Sequence, residues 1–228
     1  MTPIILLHGA VGAADQLEPL KEILSADGRP VYSFSFSGHG HSPFPADEFS
    51  IDTFSNELHA FILSHELHKP HVFGYSMGGY VALHLAYKHP DLLGKIATLG
   101  TKFKWDPETA HKEIKMLEPD TIQLKVPKFA EALKQRHGAS WKDLLFHTSH
   151  LMIGLGHHPV LNDDVLENIH NPVMLGLGDF DVMVGLDETL HVRNKLENSS
   201  MYMLPNTKHP IESVNAGLLS QMLLSYFR

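Results

Sequence analysis

Cysteine is absent from this chain of 228 residues. Its absence excludes disulfide bonds, a thiol nucleophile and thiolate ligands for a metal ion. The chain also lacks an apolar run long enough to span a membrane, and no basic segment precedes its first apolar stretch. We therefore expect a soluble, cytoplasmic protein.

Positive charge is scarce as well. The sequence holds 18 Lys and Arg residues against 26 Asp and Glu residues, for a formal net charge of −8. A mildly acidic chain without a basic run argues against nucleic acid and against an anionic membrane surface as partners. Histidine is abundant, at 18 residues, but most are scattered singly. Because the pair His157-His158 is adjacent rather than four residues apart, we expect no metal site there.

Strand-like and helix-like runs alternate along most of the chain. Strands this apolar, separated by helices, indicate an α/β fold with a mostly parallel sheet covered by helices on both faces. The predicted strands cover residues 4–7, 30–36, 70–73, 95–99, 172–177 and 200–204. The predicted helices of this part cover residues 16–24, with an N-cap at Asp15 and an end at Asp27-Gly28, then 50–62, 79–87, 186–196 and 216–226.

The segment 103–168 breaks this rhythm, because it shows helix signals and no strand. Asp106-Pro107 reads as an N-cap followed by proline, and Ser140 as the start of a capping box for a helix over 141–153. Further helices are predicted over 127–137 and 162–169. We therefore assign 1–102 and 169–228 to an α/β core and 103–168 to a helical cap. The cap is placed to cover the carboxyl ends of the strands, where ligands bind in such sheets.

Ser76 lies in the most informative motif of the chain. Residues 74–79 read G-Y-S-M-G-G, between a strand-like run and a helix-like run. A serine on a sharp strand-to-helix turn has its hydroxyl exposed, and the turn leaves almost no room for side chains two residues before and after. Gly74 and Gly78 meet that demand. We predict that Ser76 is a nucleophile.

A serine nucleophile needs a base, and the base needs an acid to orient it. His209 follows the last predicted strand, and Asp179 and Asp181 follow the strand before it, so all three emerge at the same edge of the sheet as Ser76. His209 is the predicted base, and either aspartate could be the acid. Two backbone amides should bind the developing oxyanion, and we assign them to Met77, at the start of a helix, and Ala10, in the glycine-rich loop after the first strand.

Five motifs stand in family order along the chain: L-L-H-G at 6–9, S-G-H-G-H-S at 37–42, G-Y-S-M-G-G at 74–79, G-D-F-D at 178–181 and T-K-H-P at 207–210. On these motifs the chain resembles the α/β-hydrolases, in particular the small cap-bearing esterases that include the carboxylesterase of the biotin pathway and related C–C bond hydrolases. The resemblance covers the core and not 103–168. It selects Asp181 over Asp179 as the acid, and it implies no cofactor and no metal.

The chain also departs from this family. The family usually has two strands ahead of the His-Gly strand, whereas the first predicted strand here is the one that carries the His-Gly motif. We therefore expect a six-stranded core with an exposed or partner-covered edge. Ser35 stands where an aspartate is common, which puts a structural hydrogen bond in doubt and not the triad.

The expected function is hydrolysis of an ester or related acyl bond of a small substrate. Bulky apolar residues in 103–168 favour an apolar or aromatic acyl pocket. We expect substrate contacts from His8, Gly9, Tyr75, Phe103 and Trp141. The alternative is a ligand receptor or signalling partner on the same fold with little turnover. Ester, thioester and C–C bond substrates stay open, as does the oligomeric state.

Overall fold

A single parallel sheet organises the molecule. The computed structural model describes residues 1–26 and 28–228, so the expected helix end at Asp27 lies outside the described residues. In the described part the sheet has six strands in the order β2-β1-β3-β4-β5-β6. They are β1 (Ile4–Leu7), β2 (Val31–Ser33), β3 (His71–Tyr75), β4 (Ile96–Leu99), β5 (Val173–Gly178) and β6 (Ser199–Leu204). The predicted six-stranded α/β sheet is confirmed, with β2 and β6 at its edges.

Helices connect these strands and cover both faces of the sheet. Those of the described part are α1 (Glu18–Ser25), α2 (Ile51–Ser64), α3 (Met77–Lys88), α4 (Pro107–Ile114), α5 (Pro119–Lys125), α6 (Pro127–His137), α7 (Trp141–His157), α8 (Asp163–Glu167), α9 (Leu186–Lys195) and α10 (Ala216–Tyr226). Ile4 and Leu6 of β1 pack in one cluster with residues of α1 and α10. Ile5 and Leu7 pack in the opposite cluster with residues of α2 and α3. This alternation is what a strand buried on both faces requires.

Helix starts follow local chemistry that is mostly visible in the sequence. Ser50 caps α2 by accepting from the backbone amide of Thr53 at 3.2 Å. Asp106 caps α4 by accepting from the amide of Thr109 at 2.7 Å, with Pro107 next. The predicted N-cap at Asp106, followed by Pro107, is confirmed.

Two predicted caps are wrong. Asp15 lies inside a 3₁₀ turn (Ala14–Leu17) that precedes α1, because the side chain of Gln16 accepts from the amide of Ala13 and starts the turn there. Ser140 precedes α7 but makes no side-chain cap, since a 3₁₀ turn (Gly138–Ser140) runs directly into the helix. In both places a preceding turn satisfies the backbone donors that a cap would otherwise serve.

The helices α4 to α8 form one insertion between β4 and β5. The predicted lack of strands between 103 and 168 is confirmed over these residues, all of which are described. A small cluster of its own holds Ile122, Ala130, Leu133, Trp141 and Leu145. Leu144, Leu151 and Leu155 of α7 instead belong to the main core cluster. The insertion is therefore anchored to the sheet-and-helix core through α7. Among the described helices, none is long and apolar enough to cross a membrane.

Candidate active site

Ser76 occupies a strained turn between β3 and α3. Its backbone has φ 50° and ψ −117°, a conformation that side-chain-bearing residues rarely adopt. A Cβ on Gly74 would lie 2.3 Å from the amide nitrogen of Gly79, and one on Gly78 would lie 2.5 Å from the carbonyl oxygen of Leu7. The glycines of the motif are thus required by close backbone approach, as the sequence predicts.

His209 and Asp181 form a hydrogen-bonded pair at the carboxyl edge of the sheet. Nδ1 of His209 lies 2.8 Å from Oδ2 of Asp181. The other oxygen of Asp181 accepts from the amides of Met183 and Val184, each at 2.9 Å. Burial by itself would raise the pKa of Asp181, but the hydrogen bonds from His209 and from these amides outweigh it and hold the pKa below its usual range. An ionised Asp181 requires the proton on Nδ1 of His209, which leaves Nε2 as a free base.

Gly100 makes room for this pair at the end of β4. A Cβ built on Gly100 would lie 3.2 Å from Oδ2 of Asp181 and 3.3 Å from Nδ1 of His209. Its φ of 61° also favours glycine. In the sequence, Gly100 is noticeable only as the residue that follows the predicted strand 95–99. The signal that could have identified Gly100 is a glycine at the end of a central strand next to β3, the strand that leads to Ser76.

Asp179 has a different task from Asp181. Its Oδ1 accepts from the amide of Thr207 at 2.9 Å, which ties the loop after β5 to the loop that carries His209. This hydrogen bond is the leading cause of the lowered pKa of Asp179. The two aspartates, either of which could be the acid on sequence alone, therefore have different partners: Asp181 bonds to His209 and Asp179 to the backbone of Thr207.

Ser76 and His209 line one cavity of about 60 Å³. Ala10 and Met77, the expected oxyanion donors, line it as well. The remaining lining residues are Ile51, Tyr80, Lys102, Trp105, Glu113, Leu151, Met152, Leu155, Met183 and Val184. They come from the core, from the insertion and from the loop after β5, so the cavity lies where these parts meet.

Three of the residues expected to contact the substrate, His8, Gly9 and Tyr75, make contacts within the protein around Ser76 and His209. His8 is fully buried and accepts at Nε2 from the amide of Phe36 at 3.1 Å. Gly9 lies against Ser76, since a Cβ there would be 3.1 Å from that of Ser76. The hydroxyl of Tyr75 donates to the carbonyl oxygen of His209 at 2.9 Å. These contacts place the loop after β1 and the histidine loop relative to Ser76.

Phe103 and Trp141 lie elsewhere. Phe103 is buried in the main core cluster, with its ring 6.4 Å from that of Tyr80. Trp141 packs in the insertion's own cluster, together with Leu133 and Leu145. Neither is among the residues that line the cavity with Ser76. Both side chains pack in hydrophobic clusters rather than in the cavity wall.

His137, on α6, joins the insertion to two core loops and was not identified from the sequence. Its Nδ1 accepts from the amide of Gly40 at 2.8 Å, so Nε2 carries the proton and donates to the carbonyl oxygen of Val11 at 2.9 Å. Val11 follows Ala10 and has a strained φ of 51°. Burial lowers the pKa of His137, which keeps the ring neutral and both hydrogen bonds intact.

No group of three His, Cys, Asp or Glu side chains in the described part of the chain is arranged to hold a metal ion. The chemistry that the site offers comes from a hydroxyl, an imidazole and a carboxylate.

Comparison with known proteins assigns the chain to a family. The sequence profile of the alpha/beta hydrolase fold matches residues 2–160. The chain belongs to the alpha/beta hydrolase fold family. The match covers the loop after β1, the Ser76 turn and most of the insertion.

Relatives of several activities share this fold. A probable alcohol acetyltransferase of Cyberlindnera fabianii is 35% identical over 99 residues, which are 43% of this chain and 27% of that protein. A proline iminopeptidase of Lactobacillus helveticus is 32% identical over 123 residues, 50% of this chain and 42% of that protein. The matches thus span less than half the length of these curated relatives. A thermophilic esterase from Thermogutta terrifontis superposes with a TM-score of 0.80 at 19% identity, covering 100% of this chain and 90% of the esterase.

Proposed function

We propose that this hydrolase cleaves an ester or related acyl bond of a small substrate through an acyl-enzyme on Ser76. One observation supports this most strongly. His209, paired with Asp181 at 2.8 Å, lines the same cavity as Ser76. A serine nucleophile on a strand-to-helix turn, followed along the chain by an acid and then a histidine base, is the arrangement that performs acyl transfer.

Ser76 is the proposed nucleophile and His209 the general base. Nε2 of His209 takes the hydroxyl proton as the Ser76 oxygen attacks the carbonyl carbon. The proton then passes to the leaving group. Water, deprotonated by the same nitrogen, attacks the acyl-enzyme. The bond to the Ser76 oxygen then breaks, the proton passes from Nε2 to that oxygen, and the acid is released. Asp181 keeps the imidazole in the required tautomer and stabilises the imidazolium formed during each proton transfer.

The oxyanion is proposed to bind the amides of Ala10 and Met77. Met77 is the first residue of α3, so its N–H is not used within the helix and the helix dipole favours negative charge there. Ala10 belongs to the loop that Gly9 brings against Ser76. Loss of one such donor typically costs about 3 kcal/mol of transition-state stabilisation.

The insertion, residues 103–168, is proposed to act as the cap of the site. Trp105, Glu113, Leu151, Met152 and Leu155 contribute its share of the cavity wall. The small volume of this cavity, about 60 Å³, favours a short acyl chain. The mostly apolar wall suits an apolar acyl group.

The proposal is tested by hydrolysis of p-nitrophenyl esters from acetate to octanoate, with Ser76→Ala as the matched control. We expect turnover that is highest for the short esters and absent in the control. Addition of ethanol to the same assay separates hydrolysis from acyl transfer to an alcohol, because transfer yields the ethyl ester in place of the acid. No turnover of any ester would contradict the proposal and favour a ligand receptor with little turnover.

A further inference from the structure

A buried ion pair lies in the wall of the Ser76 cavity. Nζ of Lys102, which follows β4, is 3.3 Å from Oε1 of Glu113 on α4. The two side chains are 16% and 5% exposed. Lys102 also donates to the carbonyl oxygen of Met183 at 2.7 Å. Both members of the pair line the cavity together with Ser76 and His209.

Trp105, which lines the same wall, carries an indole N–H donor. Its indole Nε1 is buried and has no hydrogen-bond partner among the residues that the structure describes. Buried indole N–H groups are normally paired, because an unpaired donor loses its hydration without compensation. An acceptor atom on a bound molecule would satisfy it. The apolar side chains Leu151 and Leu155, which line the same cavity, offer no such atom.

The charges at this end of the cavity decide which acceptor fits. The ammonium of Lys102 is balanced by Glu113, and a second carboxylate, that of Glu188, lies 4.0 Å from the same nitrogen. Glu188 is occupied by the amides of Phe103, Lys104 and Gly185. A substrate carboxylate would therefore meet no net positive charge and would be repelled by Glu113. A neutral oxygen can accept hydrogen bonds from the indole of Trp105 and the ammonium of Lys102. If it is a hydroxyl, it can also donate to the carboxylate of Glu113.

We infer that the substrate carries a neutral oxygen group, a hydroxyl or a ketone, which Trp105, Lys102 and Glu113 bind in the Ser76 cavity. This inference rests on the proposed function and narrows its substrate class to small hydroxy- or keto-esters. It assigns these three side chains of a mostly apolar wall to substrate recognition rather than to stability.

Matched esters test the inference in the wild-type protein. Values of kcat/KM are measured in a pH-stat for methyl butyrate, methyl 2- and 3-hydroxybutyrate, methyl acetoacetate and monomethyl succinate. Propyl acetate and 2-hydroxyethyl acetate test the alcohol side of the bond. We expect at least one neutral oxygenated ester to exceed its plain analogue by about tenfold, the value of one good buried hydrogen bond. The succinate monoester should be the poorest substrate. Ratios within twofold for every pair, or preference for the succinate, would overturn the inference.

Variants assign the discrimination to named side chains. The quantity compared is the ratio of kcat/KM for the oxygenated ester to that for its plain analogue, because partial loss of folded enzyme cancels from it. Trp105→Phe and Lys102→Met should each lower the ratio toward one, while Lys104→Met, at a neighbouring exposed lysine, should keep the wild-type ratio. Glu113→Gln should raise the relative rate on monomethyl succinate. Equal ratios in wild type and Trp105→Phe would exclude the indole as the donor.

The two proposals fail in different ways. Turnover of butyrate and acetate esters without discrimination would overturn the substrate class and leave the serine hydrolase mechanism standing. Absence of turnover for every ester would count against the proposed function itself.

Discussion

The imidazole of His137 donates from Nε2 to the carbonyl oxygen of Val11, 2.9 Å away, across 126 positions of sequence. Nδ1 of the same ring accepts from the amide of Gly40. A helix of the insertion thereby holds the loop that carries Ala10, a proposed oxyanion donor. The insertion is therefore joined to the loop after β1 by hydrogen bonds as well as by packing.

His137→Phe should lower kcat about tenfold while KM changes much less. Phenylalanine fills the space but leaves the Val11 carbonyl and the Gly40 amide unpaired, which costs about 1–3 kcal/mol for each buried group. A displaced Ala10 amide weakens binding of the transition state more than binding of the substrate. Steady-state kinetics and thermal unfolding of the variant measure both effects.

His111→Phe is the matched control, because His111 is exposed on α4 and bonds only within its own helix. It should leave kcat and KM at wild-type values. Equal kcat in wild type and His137→Phe would show that His137 does not position the loop.

Acid should destabilise the protein between about pH 6.5 and pH 4. Burial lowers the pKa of His8 from 6.5 to about 4, and burial also lowers the pKa values of His39 and His137. The unfolded chain then binds more protons than the folded one in this range, so stability is full above pH 6.5 and falls as the pH drops. His8 alone accounts for about 3 kcal/mol, at about 1.4 kcal/mol for each pH unit.

Urea unfolding at pH 7.5, 5.5 and 4.5 measures this loss. The stability that comes from the lowered pKa of Asp181 is present above its ordinary value of 3.8 and is lost as the pH falls below it, so most of this loss lies below the histidine range. A free energy of unfolding that stays constant from pH 7.5 to pH 5 would contradict the prediction.

Asp181→Asn should lower kcat by about three to four orders of magnitude. An asparagine cannot hold the proton on Nδ1 of His209 as the carboxylate does, so the wrong tautomer faces Ser76. Asp179→Asn should retain most of the activity, because an amide oxygen can still accept from the amide of Thr207. Kinetics of the two variants side by side decide between the acids. Full activity in Asp181→Asn with none in Asp179→Asn would reverse the assignment.

Gly78→Ala should prevent stable folding, whereas Gly154→Ala should not. A methyl group on Gly78 would lie 2.5 Å from the carbonyl oxygen of Leu7 and 2.7 Å from its Cβ, in the middle of the sheet. The new Cβ of Gly154, on the exposed side of α7, would meet open space. Alanine there should stabilise the helix by about 0.5–1 kcal/mol. Thermal unfolding compares the two, and a stable Gly78→Ala protein would show that the turn can relax.

The sheet and the positions of Ser76, Asp181 and His209 were accessible from sequence. Each of these residues lies in the turn or loop that follows a strand, and parallel strands end at one edge, so local pattern and general topology suffice. Strand β2 is shorter than predicted because Phe34 and Phe36 pack against aromatic rings rather than continuing the ladder. The helix α5 was missed, since Ile122 is its only buried residue and it offers almost no apolar period.

The wall of the cavity was not accessible from sequence. Lys102 and Glu113 belong to no motif, and the bulky apolar residues of 103–168 predict an apolar pocket without showing which of them face it, because composition does not report which side of a helix or loop faces the site. Glu113 becomes Lys102's partner only when α4 packs against the end of β4. His137 and Val11 are likewise brought together by tertiary packing alone.

Covalent labelling of Ser76 tests the proposed mechanism most directly. The wild-type protein is incubated with a fluorophosphonate, digested and analysed by mass spectrometry, beside Ser76→Ala and His209→Ala. The mechanism predicts one adduct per chain, on Ser76, that is lost in Ser76→Ala and forms far more slowly in His209→Ala. An adduct on another residue, or none on wild-type protein that is folded, would contradict it.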